Sequence, residues 1–423
     1  MELPTTLTLG LILLLQAGCG LFDQSDIESF TLTPISAVEV ALEIRADAGD
    51  NIRVERDGKE ICAFRMSRKD TVIYDSGLTP ATSYIWKVTN ESSRRDRSKE
   101  RQATTYSTTS SDFTWQTFSF GEHSSSVLYG VSIIDENNIW AVGEIYMNDS
   151  TGQADSKIYN AIHFNGVEWV LKRIEGNFRG NRIIPPLEGI HAFSESNIWA
   201  AGSLPVRGDG ENWEIIDLRT IVDESLSLWK VWEKDTSEVY FGGKSGSMAY
   251  FNGQTWQKIE TGTELDIEDI HGNAEQGVVA VASKLFETLD NAIFRIKEDK
   301  TAEEVNTEGI PEPISGIWFD ETGVTYIVGS GMFKKPGLEA PVSWQDFHLP
   351  ITNNYMDAID ANGLSDIVVS GNSGEILHFN GAGWTNFQNG LAGTLYDIDI
   401  HQGLVVAVGY DGGKAFITMG VRE

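Results

Sequence analysis

Cysteine is almost missing from this chain: 423 residues carry two, Cys19 and Cys62. A disulfide framework is thereby excluded as the source of stability, which has to come from packing. Positive charge is scarce as well. There are 32 Lys and Arg against 62 Asp and Glu, a formal net charge of −30. Taking away the 13 basic and 16 acidic residues of 1–106 leaves about −27 on the remainder. A field of that sign repels nucleic acid and anionic headgroups, so no nucleic-acid partner is expected. The acidity is spread along the whole length, which reads as solubility more than as one site. The one markedly apolar run, Leu7 to Leu15, is too short to span a bilayer. Helical periodicity is sparse, and catalytic signatures are missing. There is no Gly-rich phosphate loop, no Gly-x-Ser-x-Gly and no His-Glu-x-x-His.

Glycine and tryptophan are abundant, at 42 and 12. With few helical signals, that composition points to an all-β chain with many tight turns. A short strand pattern then recurs seven times: Asn138-Ile139-Trp140-Ala141-Val142-Gly143, Asn197-Ile198-Trp199-Ala200-Ala201-Gly202, Glu238-Val239-Tyr240-Phe241-Gly242-Gly243, and runs ending at Ala282, Gly329, Gly371 and Gly409. A spacing of roughly 40 residues is that of a four-stranded propeller blade. Aligned on these runs, two columns are wholly apolar: Leu128, Leu187, Leu228, Ile267, Ile314, Met356, Leu395, and Val131, Ile190, Val231, Ile270, Ile317, Ile359, Ile398. They describe an inner strand packed between blades. A third strand ends in Asn-Gly turns at 165–166, 252–253 and 380–381, and Trp169, Trp256 and Trp384 open the outer strand. The last repeat stops before any outer strand, while an orphan strand at 114–118 precedes the first repeat. The orphan is therefore expected to complete the seventh blade.

These units resemble the "IWAVG … hFnG..W" repeats of secreted bacterial β-propellers. The resemblance covers 113–423 and implies a fold, not an activity. Upstream, Val38, Val40, Leu42 and Ile44 alternate as a half-buried strand, and Leu78, Pro80, Thr82 and Tyr84 resemble the tyrosine corner of fibronectin type III domains. A fibronectin type III-like β-sandwich is expected over 30–106, joined by a Ser/Thr-rich linker at 107–112. At the start, Leu7–Leu15 followed by Gln16-Ala17-Gly18-Cys19 resembles a bacterial lipoprotein signal peptide. The resemblance implies that residues 1–18 are removed, that Cys19 is lipidated, and that 19–29 tether the protein to the bacterial outer membrane or cell surface. Without the modification the protein is secreted.

One column breaks the apolar pattern without being a turn: Tyr129, Glu188, Trp229, Glu268, Ser315, Asp357 and Tyr396. These residues begin the inner strands, next to the central channel. Rings that stack on C–H faces and acids that accept hydroxyl protons suit a polyol. Carboxylates there would also suit Ca²⁺; no other cofactor is expected. The channel mouth formed by Tyr129, Glu188, Trp229, Glu268, Asp357 and Tyr396 is the candidate ligand site. A second column, Ser132, His191, Trp232, His271, Trp318, Asp360 and Asp399, holds two His that suit ligands or bases, or ordinary strand-end residues. The longest insertion, Glu144 to Asn160, is expected on the face of Tyr129. The leading functional expectation is a non-catalytic surface module for a glycan, peptide or protein. The alternative is a glycoside hydrolase or polysaccharide lyase using Glu188, Glu268 or Asp357 as acid and base.

Overall fold

The computed structural model describes residues 26–423 apart from 93–96, 285–287 and 389. Cys19 and the expected signal segment lie outside the described residues. The first seven strands are β1 (Ser29–Pro34), β2 (Glu39–Arg45), β3 (Asn51–Arg56), β4 (Lys59–Arg65), β5 (Asp70–Ser76), β6 (Ser83–Asn90) and β7 (Arg97–Thr104). They form two sheets, ordered β1-β2-β5 and β4-β3-β6-β7. The alternation along β2 does what its period dictates. Val40, Leu42 and Ile44 point inward and meet Ile52, Val54, Trp86 and Val88 of the other sheet. Asp57 and Gly58 both take positive φ, at 49° and 74°, as a tight two-residue hairpin requires. The Thr79 N–H donates to the Tyr84 hydroxyl at 3.0 Å, tying the corner to the connection before it. Trp86 is fully buried, and its ring N–H donates to Asp75 at 2.7 Å.

From β8 (Phe113–Phe120) onward the chain builds seven four-stranded antiparallel sheets. Their innermost strands are Val127–Asp135, Gly189–Ser194, Leu228–Asp235, Asp266–Asn273, Ile314–Phe319, Met356–Gly363 and Thr394–His401. Each innermost strand packs on the next, and the seventh packs on the first, so the sheets close into a propeller-like ring. β8 is the outer strand of the last sheet. It pairs with Lys414–Arg422 from Ala415↔Phe120 to Arg422↔Phe113, so both partners are longer than the sequence pattern suggests. A hairpin between the first two sheets, Gly176–Phe178 with Asn181–Ile183, carries no repeat signature and was not foreseen.

The repeated glycine has a local cause. In six of the sheets the pairing of innermost with second strand slips by one residue at the same place: Tyr129, Trp229, Glu268, Ser315, Asp357 and Tyr396 are each skipped. Each is the extra residue of a β-bulge, which bends the strand and re-aims its own side chain. The slip also inverts the side-chain alternation, so the two apolar columns, three residues apart, face one core. At the bulge the strands approach closely. A Cβ on Gly143, Gly243, Gly371 or Gly409 would lie 2.2, 2.0, 2.3 or 1.9 Å from a backbone carbonyl oxygen of the facing strand. The strand-closing glycine is therefore the partner of the bulge.

The sandwich is docked against the ring. Ile35 and Ala41 join a core with Trp318, Tyr326, Leu364 and Phe379, and Lys334 pairs with Glu39. The 107–112 segment is fixed too: Thr109 N–H donates to Asn380 O at 3.1 Å, and Ser111 Oγ meets His378 Nδ1 at 2.8 Å. Its polar residues serve as hydrogen-bonding contacts along the sixth sheet.

Candidate functional site

The channel through the ring holds two cavities, each of about 400 Å³. The first gathers Tyr129, Glu188, Trp229, Glu268, Ser315, Asp357 and Tyr396, so all seven residues of the first polar column share one chamber. Asp266, Tyr355, Asn372, Thr394 and Lys230 complete its wall. The bulges explain the convergence, since an unpaired residue turns its side chain off the sheet toward the axis. The Tyr129 and Tyr396 rings lie 5.7 Å apart, and the Trp229 ring N–H donates to Ile267 O at 3.1 Å, which fixes the indole across a sheet junction.

The second column plays a different part. Asp360 Oδ2 accepts the Ile400 N–H at 3.0 Å, Asp399 Oδ2 accepts the Ile133 N–H at 2.7 Å, and Ser132 Oγ accepts the Ala192 N–H at 3.0 Å. In each case the side chain grips the next innermost strand in the ring. His271 Nε2 lies 3.1 Å from Phe319 O and belongs to the same belt. Parallel neighbours at the channel have no ladder between them, so these side chains supply it, each bond worth about 1 kcal/mol. Burial lowers both His191 and His271 to about 4, so both rings are neutral at physiological pH. Asp360 and Asp399 are half-buried and held above the usual carboxylate range, first by desolvation; the Asp399 carboxyl pushes Asp360 further up, while the contact with Asp360 eases Asp399 back down.

Between the two chambers lies a level that the sequence reading passed over. There the seven strands carry Gly130, Gly189, Lys230, Asp269, Gly316, Ala358 and Asp397. Four of these are small, and the other three carry charge. Asp269 Oδ2 accepts the Ile317 N–H at 2.9 Å, and Asp397 Oδ2 accepts the Val131 N–H at 2.8 Å, two further struts across sheet junctions. Lys230 lines both chambers. Burial works against its ammonium, but the carboxyls of Asp397, Asp269, Glu268 and Asp357 outweigh it and hold the pKa raised. Conversely, burial pushes Glu268, Asp357 and Asp397 up to about 7 and Asp269 to about 6, with Lys230 opposing. Tyr129 is pushed up to about 12 by burial, with Glu144 and Glu188 adding to it. The influence of Glu144 places the start of the 144–160 insertion at this mouth. The insertion is tied down: Asp149 accepts the Thr151 N–H at 2.8 Å, and Asp155 pairs with Arg173.

Among the described residues no group of three or more His, Cys, Asp or Glu is placed to hold a metal ion. Its chemistry is that of a pocket with several ring faces, four acids and one ammonium.

No protein-family model matches the chain, and no curated protein matches it. Solved structures do. YCF48 bound to D1 peptide is 14% identical with a TM-score of 0.55, over 75% of this chain and 100% of that one. YCF48 from Cyanidioschyzon merolae is 14% identical, with a TM-score of 0.52 over 73% and 98%. Virginiamycin B lyase from Staphylococcus aureus is 13% identical, with a TM-score of 0.51 over 74% and 100%. At such identities the likeness concerns the fold, and the chain is an all-β protein whose larger part is built as a β-propeller.

Proposed function

We propose that this protein is a non-catalytic binding module: a seven-bladed propeller whose first chamber takes a ligand, carried on a fibronectin type III-like sandwich. One observation carries the reading. The side chain freed by each bulge is delivered to the same chamber, and these side chains are polar or aromatic where the two columns bracketing them are apolar. The strand orders of the two small sheets and the Thr79–Tyr84 bond support the sandwich assignment. That one fold neighbour was solved with a peptide is compatible with a binding role.

Trp229→Ala should weaken ligand binding by about 1–3 kcal/mol if the indole is a stacking platform. Calorimetry on wild type and variant measures it, and an unchanged affinity would remove Trp229 from the site. The Glu188→Gln, Glu268→Gln double variant separates binder from hydrolase or lyase. A binder loses some affinity. An enzyme keeps binding and loses turnover by orders of magnitude.

We further propose anchoring through Cys19 at a bacterial outer membrane or cell surface, motivated by the apolar run and the Ala17-Gly18-Cys19 ending. Cys19→Ser should move the protein from the membrane to the soluble fraction. Absence of fatty-acid label on the wild type after metabolic labelling would refute the anchor.

A further inference from the structure

The chamber's polar groups are of two signs, and the ammonium is the unusual one. Lys230 is half-buried and stands between the two cavities, reaching the channel from both. Among the described residues its ammonium makes no hydrogen bond and no direct ion pair; Asp397, Asp269, Glu268 and Asp357 act on it through space. Its three N–H donors are free of protein acceptors and face the channel, where a ligand can take them. An acceptor in the same wall also lacks a protein partner: Asp357 Oδ2 is buried there without a hydrogen bond. So a donor and an acceptor both face one pocket, beside the rings of Tyr129, Trp229 and Tyr396.

We propose that the chamber binds a neutral polyhydroxylated ligand, one or two sugar units of a glycan, with Lys230 as donor and Glu188, Glu268 and Asp357 as acceptors; this rests on the binding-module reading above. A sugar hydroxyl both donates and accepts, so a vicinal pair can bridge an ammonium and a carboxyl at once. The rings supply platforms for the C–H faces. A volume of about 400 Å³ lies within the usual range for small-ligand sites. Charged guests fit worse. A lysine or arginine side chain would have to compete with Lys230, which already lies among the acids. A phosphate or carboxylate would meet Glu188, Asp266, Glu268 and Asp357 in the wall. Acids poised near neutral pH add to the match, because each offers a hydroxyl donor as well as an acceptor.

The test uses the folded protein and five neutral hexaoses, of glucose in β-1,4 and α-1,4 linkage, xylose, mannose and N-acetylglucosamine, with a trilysine peptide as comparison. Saturation-transfer NMR detects binding and calorimetry measures it. At least one hexaose should bind. Lys230→Met should weaken it by about tenfold or more, the loss of one charged hydrogen bond, and Lys230→Arg should keep more of the affinity than Lys230→Met. If Lys230→Met does not fold, a structure of the wild type soaked with the bound hexaose decides: a sugar hydroxyl within hydrogen-bond distance of Lys230 Nζ supports the assignment, and a sugar elsewhere overturns it. Hexaose binding that is indifferent to Lys230→Met overturns the role of Lys230. Binding of trilysine in this chamber, with no hexaose bound, overturns the glycan and leaves the binding module standing. If no probe enters the chamber, both fall.

Discussion

A chain lacking residues 112–120 should lose the cooperative melting of the whole ring. The deletion removes β8 and with it the full pairing from Ala415↔Phe120 to Arg422↔Phe113. It also strips Trp115 and Phe113 from the core around Ile398 and Ala407, and Phe118 and Phe120 from the core around Ile417. Eight residue pairs of one ladder and four aromatic side chains are comparable with the entire stability of an ordinary domain, about 5–15 kcal/mol. The exposed edge of Lys414–Arg422 should in addition promote association between chains. Differential scanning calorimetry and light scattering are the measurements. Adding a peptide of sequence 112–120 should restore part of the melting transition. A truncated chain that melts where the intact one does would show that the ring does not depend on this closure.

The second large effect is on pH. The carboxyls of Glu268, Asp357, Asp397 and Glu233 titrate near 7 and that of Asp269 near 6, each above its ordinary value because of burial. The folded chain therefore holds more protons than the unfolded one between about pH 4 and 7. Stability falls as pH rises through that window, and the loss is complete above it. For one carboxyl raised by about 3 units the loss is on the order of 4 kcal/mol. His191 and His271, lowered to about 4 by burial, act in the opposite sense between about 4 and 6.5. Two imidazoles offset only part of what five carboxyls do. Asp223, held near 2 chiefly by Ser225, changes nothing above pH 5. The melting temperature should thus drop by roughly 5–10 °C between pH 5 and pH 8. The Glu268→Gln, Asp357→Asn variant should melt higher than wild type at pH 8 and show a shallower slope. A wild-type melting temperature that is level or rises over this range would contradict the burial of these acids.

The repeat carried most of the fold in readable form, because an innermost strand packed between sheets has to be apolar in every copy. The polar column was legible for the same reason in reverse: Tyr129, Glu188 and Trp229 sit where core residues do not. The bulge was not recognised, although two apolar columns three residues apart on one face imply a break in alternation. Lys230 was missed because its column contains Gly, Ala and Asp as well, so no single copy announces a site. Only the two-sheet geometry makes Trp86 the centre of the small core. The hairpin at 176–183 has no counterpart in other repeats, and nothing periodic marks it.

The bulges also separate the fates of two sets of substitutions. A bulged residue lies outside the strand ladder and outside the apolar core, so exchanging Tyr129 or Trp229 for another side chain leaves the pairing register and the packing between sheets in place. The adjoining glycine has less freedom, since at Gly143, Gly243, Gly371 and Gly409 a Cβ would collide with the opposite backbone, whereas the fourth sheet accommodates Ala282 there. The six bulged positions can therefore change in chemistry while the scaffold stays alike, and a combinatorial library confined to them would vary the chamber wall without first having to solve the problem of folding.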